Sequence, residues 1–81
     1  MDSISLHILS PEGTLIQKKV SSVTLPGVQG PFTVLKGHAA LMSALEKGPI
    51  SYVSEGKAHS LAIESGFAKV ADNQVIVCAE Q

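Results

Sequence analysis

Residues 50–63 read ISYVSEGKAHSLAI, and their pattern is the clearest indication of the class of fold. Apolar and polar side chains alternate on both sides of Glu55-Gly56, and a period of two is typical of strands with one face on a core. A two-residue connection that ends in glycine suits a tight hairpin turn, because glycine reaches positive φ without steric cost. The stretch therefore predicts two antiparallel strands, at 50–54 and 57–63.

The same alternation recurs outward from this hairpin. Asp72-Asn73 separates 67–71 from 75–78 and predicts a second hairpin, since asparagine tolerates positive φ. Shorter alternating segments are centred on Leu6, Thr24 and Thr33. Turn residues interrupt the apolar segments roughly every ten positions, a rhythm that favours an all-β sandwich or small barrel over alternating strands and helices.

Two places leave the local structure open. Val20 is at an even position and Val23 and Leu25 are at odd positions, so one regular strand could not direct all three side chains to the same face. A bulge or bend near Ser21-Ser22 would allow it. The segment 38–47 places Leu41, Ala44 and Leu45 at helical spacing, among good helix formers. From the residues alone it is either a short helix or an irregular strand.

Size and composition limit the partners. The 81 residues suffice for one domain, 1–81, and a composition that is 44% hydrophobic and 16% charged is that of a globular protein. With a net charge of −1 and no basic stripe, nucleic acid is not expected as a partner. Apolar runs of about five residues are too short to cross a bilayer, so no direct membrane insertion is expected. Cys78 is expected to be a small buried hydrophobe.

Residues with the chemistry for a catalytic or metal site are scattered. His7, His38 and His59 have no ligand spacing between them, so no metal site is expected. Glu64-Ser65-Gly66 shares only a Ser-Gly pair with a nucleophile elbow. Pro26 to Gly30 lacks the Gly-Lys-Ser/Thr ending of a phosphate loop and is expected to be a turn. The chain is therefore expected to have no catalytic residue and no cofactor, and a small β-domain enzyme is ranked last among the possible functions.

Lys57 supports one alternative. It follows a hairpin turn near the middle of a small β domain, which is where lipoyl and biotinyl carrier domains place their modified lysine. Those domains usually have Asp-Lys-Ala or Met-Lys-Met at that point, whereas this chain has Gly56-Lys57-Ala58. A plain solvated lysine is therefore favoured, and a carrier domain modified at Lys57 is kept as the alternative function.

A set of motifs spread over nearly the whole chain resembles a known family. The most specific blocks are Leu25-Pro26-Gly27 followed by Gly30-Pro31-Phe32 and Gly37-His38-Ala39, with Gly66-Phe67-Ala68 as a second support. In this order and spacing the chain resembles the N-terminal β-sandwich domain of the epsilon subunit of F-type ATP synthase.

The resemblance implies a fold and a function. The fold would be all-β, a flattened sandwich of two mostly antiparallel sheets with about ten short strands, and 38–47 would be largely extended. The function would be that of a non-catalytic central-stalk subunit, which links the gamma subunit to the membrane c ring and couples ion flow to ATP synthesis. It would be peripheral, on the cytoplasmic face of the inner (plasma) membrane.

The resemblance also implies contact residues. Val28, Gln29, Gly30 and Pro31 match the loop that meets the c ring, although here the loop carries no acidic residue. Ser10 and His38 match positions that face the gamma subunit. Ala39, Leu41 and Met42 are added to that contact because they form a short apolar run, and a stable contact requires an apolar patch on one outer sheet face.

Relatives of this family usually continue into a pair of C-terminal helices, which in many of them inhibit ATP hydrolysis or respond to ATP. The sequence here stops at Gln81. It is therefore expected to provide neither the inhibitory helices nor a nucleotide site.

Overall fold

The computed structural model describes residues 2–81. Over that range the chain forms nine β-strands and no helix. The strands are β1 (Ile4–Ser10), β2 (Gly13–Val20), β3 (Ser22–Leu25), β4 (Phe32–Val34), β5 (Leu41–Leu45), β6 (Gly48–Ser54), β7 (Lys57–Ile63), β8 (Ser65–Ala71) and β9 (Gln74–Glu80).

The strands form two sheets, with orders β2-β1-β9-β8-β5 and β4-β3-β6-β7. Every pair of neighbours is antiparallel except β1 and β9, which are parallel. The two sheets enclose one hydrophobic core, as in a β-sandwich. The all-β sandwich expected from the sequence is confirmed, with nine strands where about ten were expected.

Both expected hairpins are present. The turn between β6 and β7 has positive φ at Glu55 (53°) and Gly56 (75°), and the turn between β8 and β9 has positive φ at Asp72 (51°) and Asn73 (59°). Positive φ at both central residues defines the type I′ turn, whose twist matches that of the strands it connects. Turn chemistry visible in the sequence therefore sets the register of four strands.

Strand alternation builds the core. In β1 the buried residues are Ile4, Leu6 and Ile8, and in β9 they include Val75 and Val77. Complete burial of each such aliphatic side chain stabilises the fold by roughly 1.5–3 kcal/mol. The rest of the core comes from Val20, Val23, Leu25, Val34, Leu45, Ile50, Tyr52, Ile63, Ala68, Val70 and Ala79.

The break in parity near residue 21 is a crossing between sheets. Val20 ends β2 in the five-stranded sheet, and Val23 lies in β3 of the four-stranded sheet, so both face the core. The chain bends at Ser21, whose N–H donates to the carbonyl of Val53 at 2.8 Å. The expected bend is confirmed, and its cause is the change of sheet.

Residues 41–45 form a strand, so the helical alternative is wrong and the extended one is confirmed. Leu41 pairs with Val70 and Leu45 with Gly66 along β8. Pairing at the sheet edge and burial of Leu45 outweigh the helical spacing of this short segment.

The expectation for Cys78 is wrong, since its side chain is exposed. In β9 the buried positions are 75, 77 and 79, and strand alternation places Cys78 on the opposite face. Residues on both faces of this segment are apolar or weakly polar, so the sequence did not show which face is buried.

Candidate functional site

The five-stranded sheet has one face on the core and one facing away from it, which we call the outer face. Strand register arranges the side chains of the outer face in rows across the sheet. The first row is Leu9, Cys78, Phe67 and Ala44, and the second is His7, Ile76, Lys69 and Met42. Six of these eight residues are apolar or weakly polar, so the outer face is an apolar surface, and no other strand formed by residues 2–81 packs over it.

Large apolar side chains on the outer face are well exposed. The exposed fraction is 45% for Phe67, 38% for Ile76 and 65% for Met42. Single exposed hydrophobic residues are normal on any protein, but adjacent ones in register form a contiguous patch, which is typical of an interaction site. The outer face is therefore the candidate functional site.

The sequence of β8 explains why the aromatic side chain points outward. Ala68 and Val70 are the buried residues of this strand, and they fit the space between the two sheets. Phe67 and Lys69 take the opposite face by alternation. Gly66 allows close approach of β9, because a Cβ there would lie 2.7 Å from the carbonyl oxygen of Cys78.

Lys69 places a positive charge within the apolar rows. It is flanked by Ile76 on β9 and by Met42 on β5. The one salt bridge found between residues 2 and 81 joins Lys47 to Glu64 at 4.0 Å, so Lys69 has no carboxylate partner within this range. A partner that covers the outer face would offer Lys69 an acceptor.

A concavity lies at each end of the first row. One, of about 400 Å³, is lined by Leu9, Ser10, Pro11, Cys78, Ala79 and Glu80. The other, of about 430 Å³, is lined by Val28, Gln29, Gly30, Phe32, Leu41, Met42, Ser43 and Ala44. Three strand spacings of about 4.8 Å separate β1 from β5, so the row between them spans roughly 14 Å.

The loop between β3 and β4 is held against the edge of β5. The N–H of Val28 donates to the carbonyl of Ala44 at 3.1 Å, and the N–H of Glu46 donates to the carbonyl of Pro26 at 2.9 Å. The loop itself closes through a bond from the N–H of Gly30 to the carbonyl of Gly27 at 2.9 Å. The turn expected at Pro26 to Gly30 is thus confirmed, and it adds Val28 to the rim of the outer face.

The structure brings together only some of the predicted contact residues. Ser10 lies at the β1 end of the first row, and Met42 is exposed in the second row. The loop residues Val28, Gln29 and Gly30 border the same face beyond β5, with Pro31 next along the chain. Ser10, Met42 and the loop therefore surround one surface.

The other predicted contacts are half-buried or lie elsewhere. Leu41 lines the concavity beside the loop, but it is half-buried and packs against the core. His38 and Ala39 follow Gly37, whose N–H donates to the side chain of Asn73 at 2.7 Å, so they lie near the β8–β9 turn. Six residues of β9, at about 3.3 Å each, place that turn roughly 20 Å from Ser10. A partner touching both Ser10 and His38 would have to span the length of the sheet.

The polar groups of Ser10 and His38 already have local partners. The hydroxyl of Ser10 donates to the carbonyl of Gly13 at 3.1 Å and accepts from the N–H of Glu12 at 3.2 Å. The Nδ1 atom of His38 lies 2.7 Å from the carbonyl oxygen of Ala39. Both side chains therefore stabilise turns at the ends of strands, and any contact through them would be added to that role.

The residues from 2 to 81 contain no group of three or more histidine, cysteine, aspartate or glutamate side chains placed to hold a metal ion. His59 stacks on Tyr52 with ring centroids 5.2 Å apart, which accounts for its half-buried position. Over the same range there is no helix long and apolar enough to cross a membrane.

Sequence reasoning missed Phe67 and Ile76 as members of the site. The motif Gly66-Phe67-Ala68 was noted for its resemblance, and the exposed aromatic ring at its centre was not recognised. Alternation of the small residues Ala68 and Val70 with larger neighbours was the available signal. It shows which residues share a face, and the structure shows which face is covered.

A small β-sandwich with an exposed apolar sheet face has the kind of surface that is typical of protein–protein contacts. Residues 3–81 match the family described as ATP synthase, Delta/Epsilon chain, beta-sandwich domain. The chain belongs to this family.

Similar proteins agree with this assignment. The chain is 44% identical over 78 residues to the ATP synthase epsilon chain of Anaeromyxobacter sp. (strain K), a match that covers 96% of this chain and 59% of the relative. It is 46% identical over 80 residues to the ATP synthase epsilon chain of Campylobacter jejuni (strain 81-176), with coverage of 98% and 62%. The chain thus spans about three fifths of the length of these curated relatives.

Solved structures contain the same fold. A chain of the Euglena gracilis mitochondrial ATP synthase, in a structure of OSCP, F1 and c-ring, superposes with a TM-score of 0.90 at 27% identity, and the match covers 100% of this chain and 52% of that one. A chain in the central stalk and c-ring structure of the Tetrahymena thermophila mitochondrial ATP synthase gives a TM-score of 0.80 over 98% of this chain and 64% of that one. At 13% identity that match shows the fold alone.

The carrier-domain alternative gains no support from these findings. Lys57 is exposed at the start of β7, beside the Glu55-Gly56 turn, as that alternative required. However, the family match covers the whole sandwich, Lys57 included, and it is not a match to a carrier family. Lys57 is therefore described as a solvated lysine at a hairpin.

Proposed function

We propose that this chain is a non-catalytic part of the central stalk of an F-type ATP synthase, where it links the gamma subunit to the c ring. Family membership and the likeness to chains of ATP synthase assemblies support this proposal. The single observation that carries it is the apolar outer face, because a subunit held between two partners needs a surface that water does not cover well.

The gamma subunit is proposed to cover the outer face. The rows through Phe67 and Ile76 offer apolar side chains in a flat, rigid sheet, and an aromatic residue near the centre of a patch commonly contributes most to binding. A stable contact buries on the order of 800 Å² per partner, which is enough to include both rows. Lys69 would pair with an acidic residue of the partner.

The c ring is proposed to contact the 28–31 loop. The loop lies beyond β5 and presents Val28, which is 51% exposed, next to the amide of Gln29. With no charged side chain between positions 27 and 35, recognition would depend on hydrogen bonds and shape instead of charge.

Rigidity is the proposed mechanism. Torque from the ring must reach the gamma subunit without slippage, and close-packed interiors transmit strain instead of flowing. The core of this sandwich is continuous, and the 28–31 loop is hydrogen-bonded to β5 at the border of the outer face. Contact with the ring would hold the chain at the cytoplasmic face of the inner (plasma) membrane as a peripheral subunit.

Binding to the purified gamma subunit of the same organism tests the proposal. Phe67→Asp places a charge in the middle of the outer face and is expected to abolish binding measured by calorimetry. Thr33→Asp is the matched control, since Thr33 is exposed on the other sheet. Equal binding by both variants would mean that gamma does not use the outer face, and absence of binding by the unmodified chain would refute the proposed function.

A further inference from the structure

Residues 35–40 connect β4 to β5 and so cross from one sheet to the other, at the end of the sandwich where the β8–β9 turn lies. All of them except His38 are exposed, and none belongs to a strand. In the described part of the chain, one hydrogen bond joins this connection to a distant segment, from the N–H of Gly37 to the Oδ1 atom of Asn73 at 2.7 Å. The Asn73 side chain is therefore the hydrogen-bonded anchor of the 35–40 connection.

Asn73 is itself held by its backbone. It is the second central residue of the type I′ turn between β8 and β9, with φ of 59°, and its carbonyl accepts from the N–H of Ser5 at 2.9 Å. Neither the turn nor the bond to β1 uses the side chain, and glycine would adopt the same positive φ. The side-chain bond to Gly37 can therefore be removed without removing the turn.

The two halves of β5 are held differently. The C-terminal half is bonded to the loop between β3 and β4 through the carbonyl of Ala44, which accepts from the N–H of Val28. Because that carbonyl points away from β8, alternation makes Ala44 and Met42 non-hydrogen-bonded positions of the β5–β8 pair, and Leu41 the first hydrogen-bonded one. The 35–40 connection ends directly before Leu41. The place of Met42 therefore depends on a strand end that this connection leads into.

Met42 has much to lose from a loose strand end. Its side chain is 65% exposed and lies beside Lys69 in the second row of the outer face. If the start of β5 frays in the free chain, a partner that covers Met42 must order both the backbone and the side chain, and that ordering lowers the affinity. A strand end that is already held avoids this cost.

We propose that Asn73 is a positioning residue of the outer face: by holding Gly37 it keeps β5 paired through Leu41, so that Met42 is in its row before a partner binds. The inference rests on the proposed function, because the partner that would bind Met42 is gamma. Asn73 acts through the 35–40 connection and need not touch gamma itself. The same bond ties the β8–β9 turn to the chain that arrives from the other sheet, which adds to the rigidity of the sandwich.

Asn73→Gly tests the proposal, since it keeps the turn and the backbone bond to Ser5 and removes only the oxygen that Gly37 uses. Its affinity for gamma in calorimetric titration is expected to fall about three- to tenfold, with no loss of stability in urea denaturation. Asn73→Asp is the matched control, because aspartate also tolerates positive φ and keeps an acceptor oxygen. At high salt, which screens its added charge, it is expected to bind like the unmodified chain.

Hydrogen exchange on the free chain tests the local step. The amides of Gly37 and Leu41 are expected to exchange faster in Asn73→Gly than in the unmodified chain, and Asn73→Asp is expected to restore the slower exchange. Unchanged exchange at both amides in Asn73→Gly would refute the anchoring of β5.

A double-mutant cycle tests whether Asn73 acts through Met42. Asn73→Gly is expected to weaken gamma binding much less in a Met42→Ala background than in the unmodified chain. An equal loss in both backgrounds would refute that route.

The outcomes separate this inference from the proposed function. If the unmodified chain does not bind gamma, the proposed function is wrong and the positioning role is wrong with it. If the unmodified chain and Asn73→Gly bind gamma equally well, only the positioning role is refuted. A loss of affinity that Asn73→Asp shares at high salt would also refute it, because the acceptor oxygen would then not be what matters.

Discussion

The two solvent-facing sheet surfaces of this sandwich differ although both come from the same alternation. The outer face of the five-stranded sheet carries Phe67, Ile76 and Met42 in adjacent rows. The corresponding face of the four-stranded sheet carries a row of hydroxyl groups, formed by Thr33, Thr24, Ser51 and Ser60. The hydroxyl oxygens of Thr24 and Thr33 lie 2.9 Å apart.

The difference separates a surface that needs a partner from one that water covers. Hydroxyl groups exchange hydrogen bonds with each other and with solvent, so their row is stable when exposed. Apolar rows gain free energy on burial, roughly 25 cal/mol per Å² removed from water. The first surface therefore carries the proposed binding function, and the second has no need of a cover over its face.

The largest expected effect comes from separating β8 and β9 beneath the apolar rows. Gly66→Val adds a branched side chain at a position where a Cβ alone would lie 2.7 Å from the carbonyl oxygen of Cys78. We expect a loss of about 2–3 kcal/mol in the free energy of unfolding, measured by urea denaturation. Ala44→Val, at an exposed position of the outer face, is the control and should change stability by less than about 0.5 kcal/mol. Equal stability of the two variants would show that β8 and β9 tolerate separation.

The second prediction concerns the aromatic residue at the centre of the outer face. Phe67→Ala is expected to weaken binding to gamma by at least about 2 kcal/mol, because a central aromatic residue would be removed from the contact. The free energy of unfolding should change little, since the ring is 45% exposed in the free chain. Calorimetric titration checks the binding and thermal denaturation checks the fold. A large loss of stability with unchanged binding would mean that Phe67 stabilises the fold and does not contact gamma.

A smaller effect is expected from the charge within the rows. Lys69→Gln should reduce the association rate with gamma several-fold at low salt, with little difference at high salt, because steering by an exposed charge is screened. Stopped-flow measurements at two ionic strengths check this. Lys36→Gln, a lysine exposed outside the sheets, is the control. An identical salt dependence in both variants would exclude Lys69 from the contact.

The smallest effect is expected on the hydroxyl face. Thr33→Val removes one exposed hydrogen bond and adds a good strand former, so the free energy of unfolding should change by less than about 1 kcal/mol. Binding to gamma should be unchanged in calorimetric titration. A substantial loss of binding would mean that the four-stranded sheet also contacts gamma, and the contrast between the two faces would fail.

Much of the architecture could be predicted from local chemistry. The turns at Glu55-Gly56 and Asp72-Asn73 require positive φ, and residues that tolerate it were visible in the sequence. The bend at Ser21 could be predicted from the parity of Val20 and Val23, but its role as a crossing between sheets could not. The helical spacing in 41–45 was misleading, since five residues are too few for periodicity to decide.

The candidate site could be predicted only in part. The resemblance identified Ser10 and the 28–31 loop, and the short apolar run identified Met42; the structure places all of them around one face. Phe67, at the centre of that face, was not among them, and Cys78 was expected inside. Both errors have one cause, which is that alternation gives two faces of a strand and does not say which one another layer covers.

An all-β fold, the positions of the tight turns and the side chains that share a face could all be predicted from the residues alone, because these features depend on backbone conformations of neighbouring residues. Phe67 and Ile76 lie in register, on a face that residues 2–81 leave exposed, only because of how the strands are arranged in three dimensions. Those properties depend on which strands meet across the sandwich. Strand pairing joins residues distant in the sequence, and no local pattern records it.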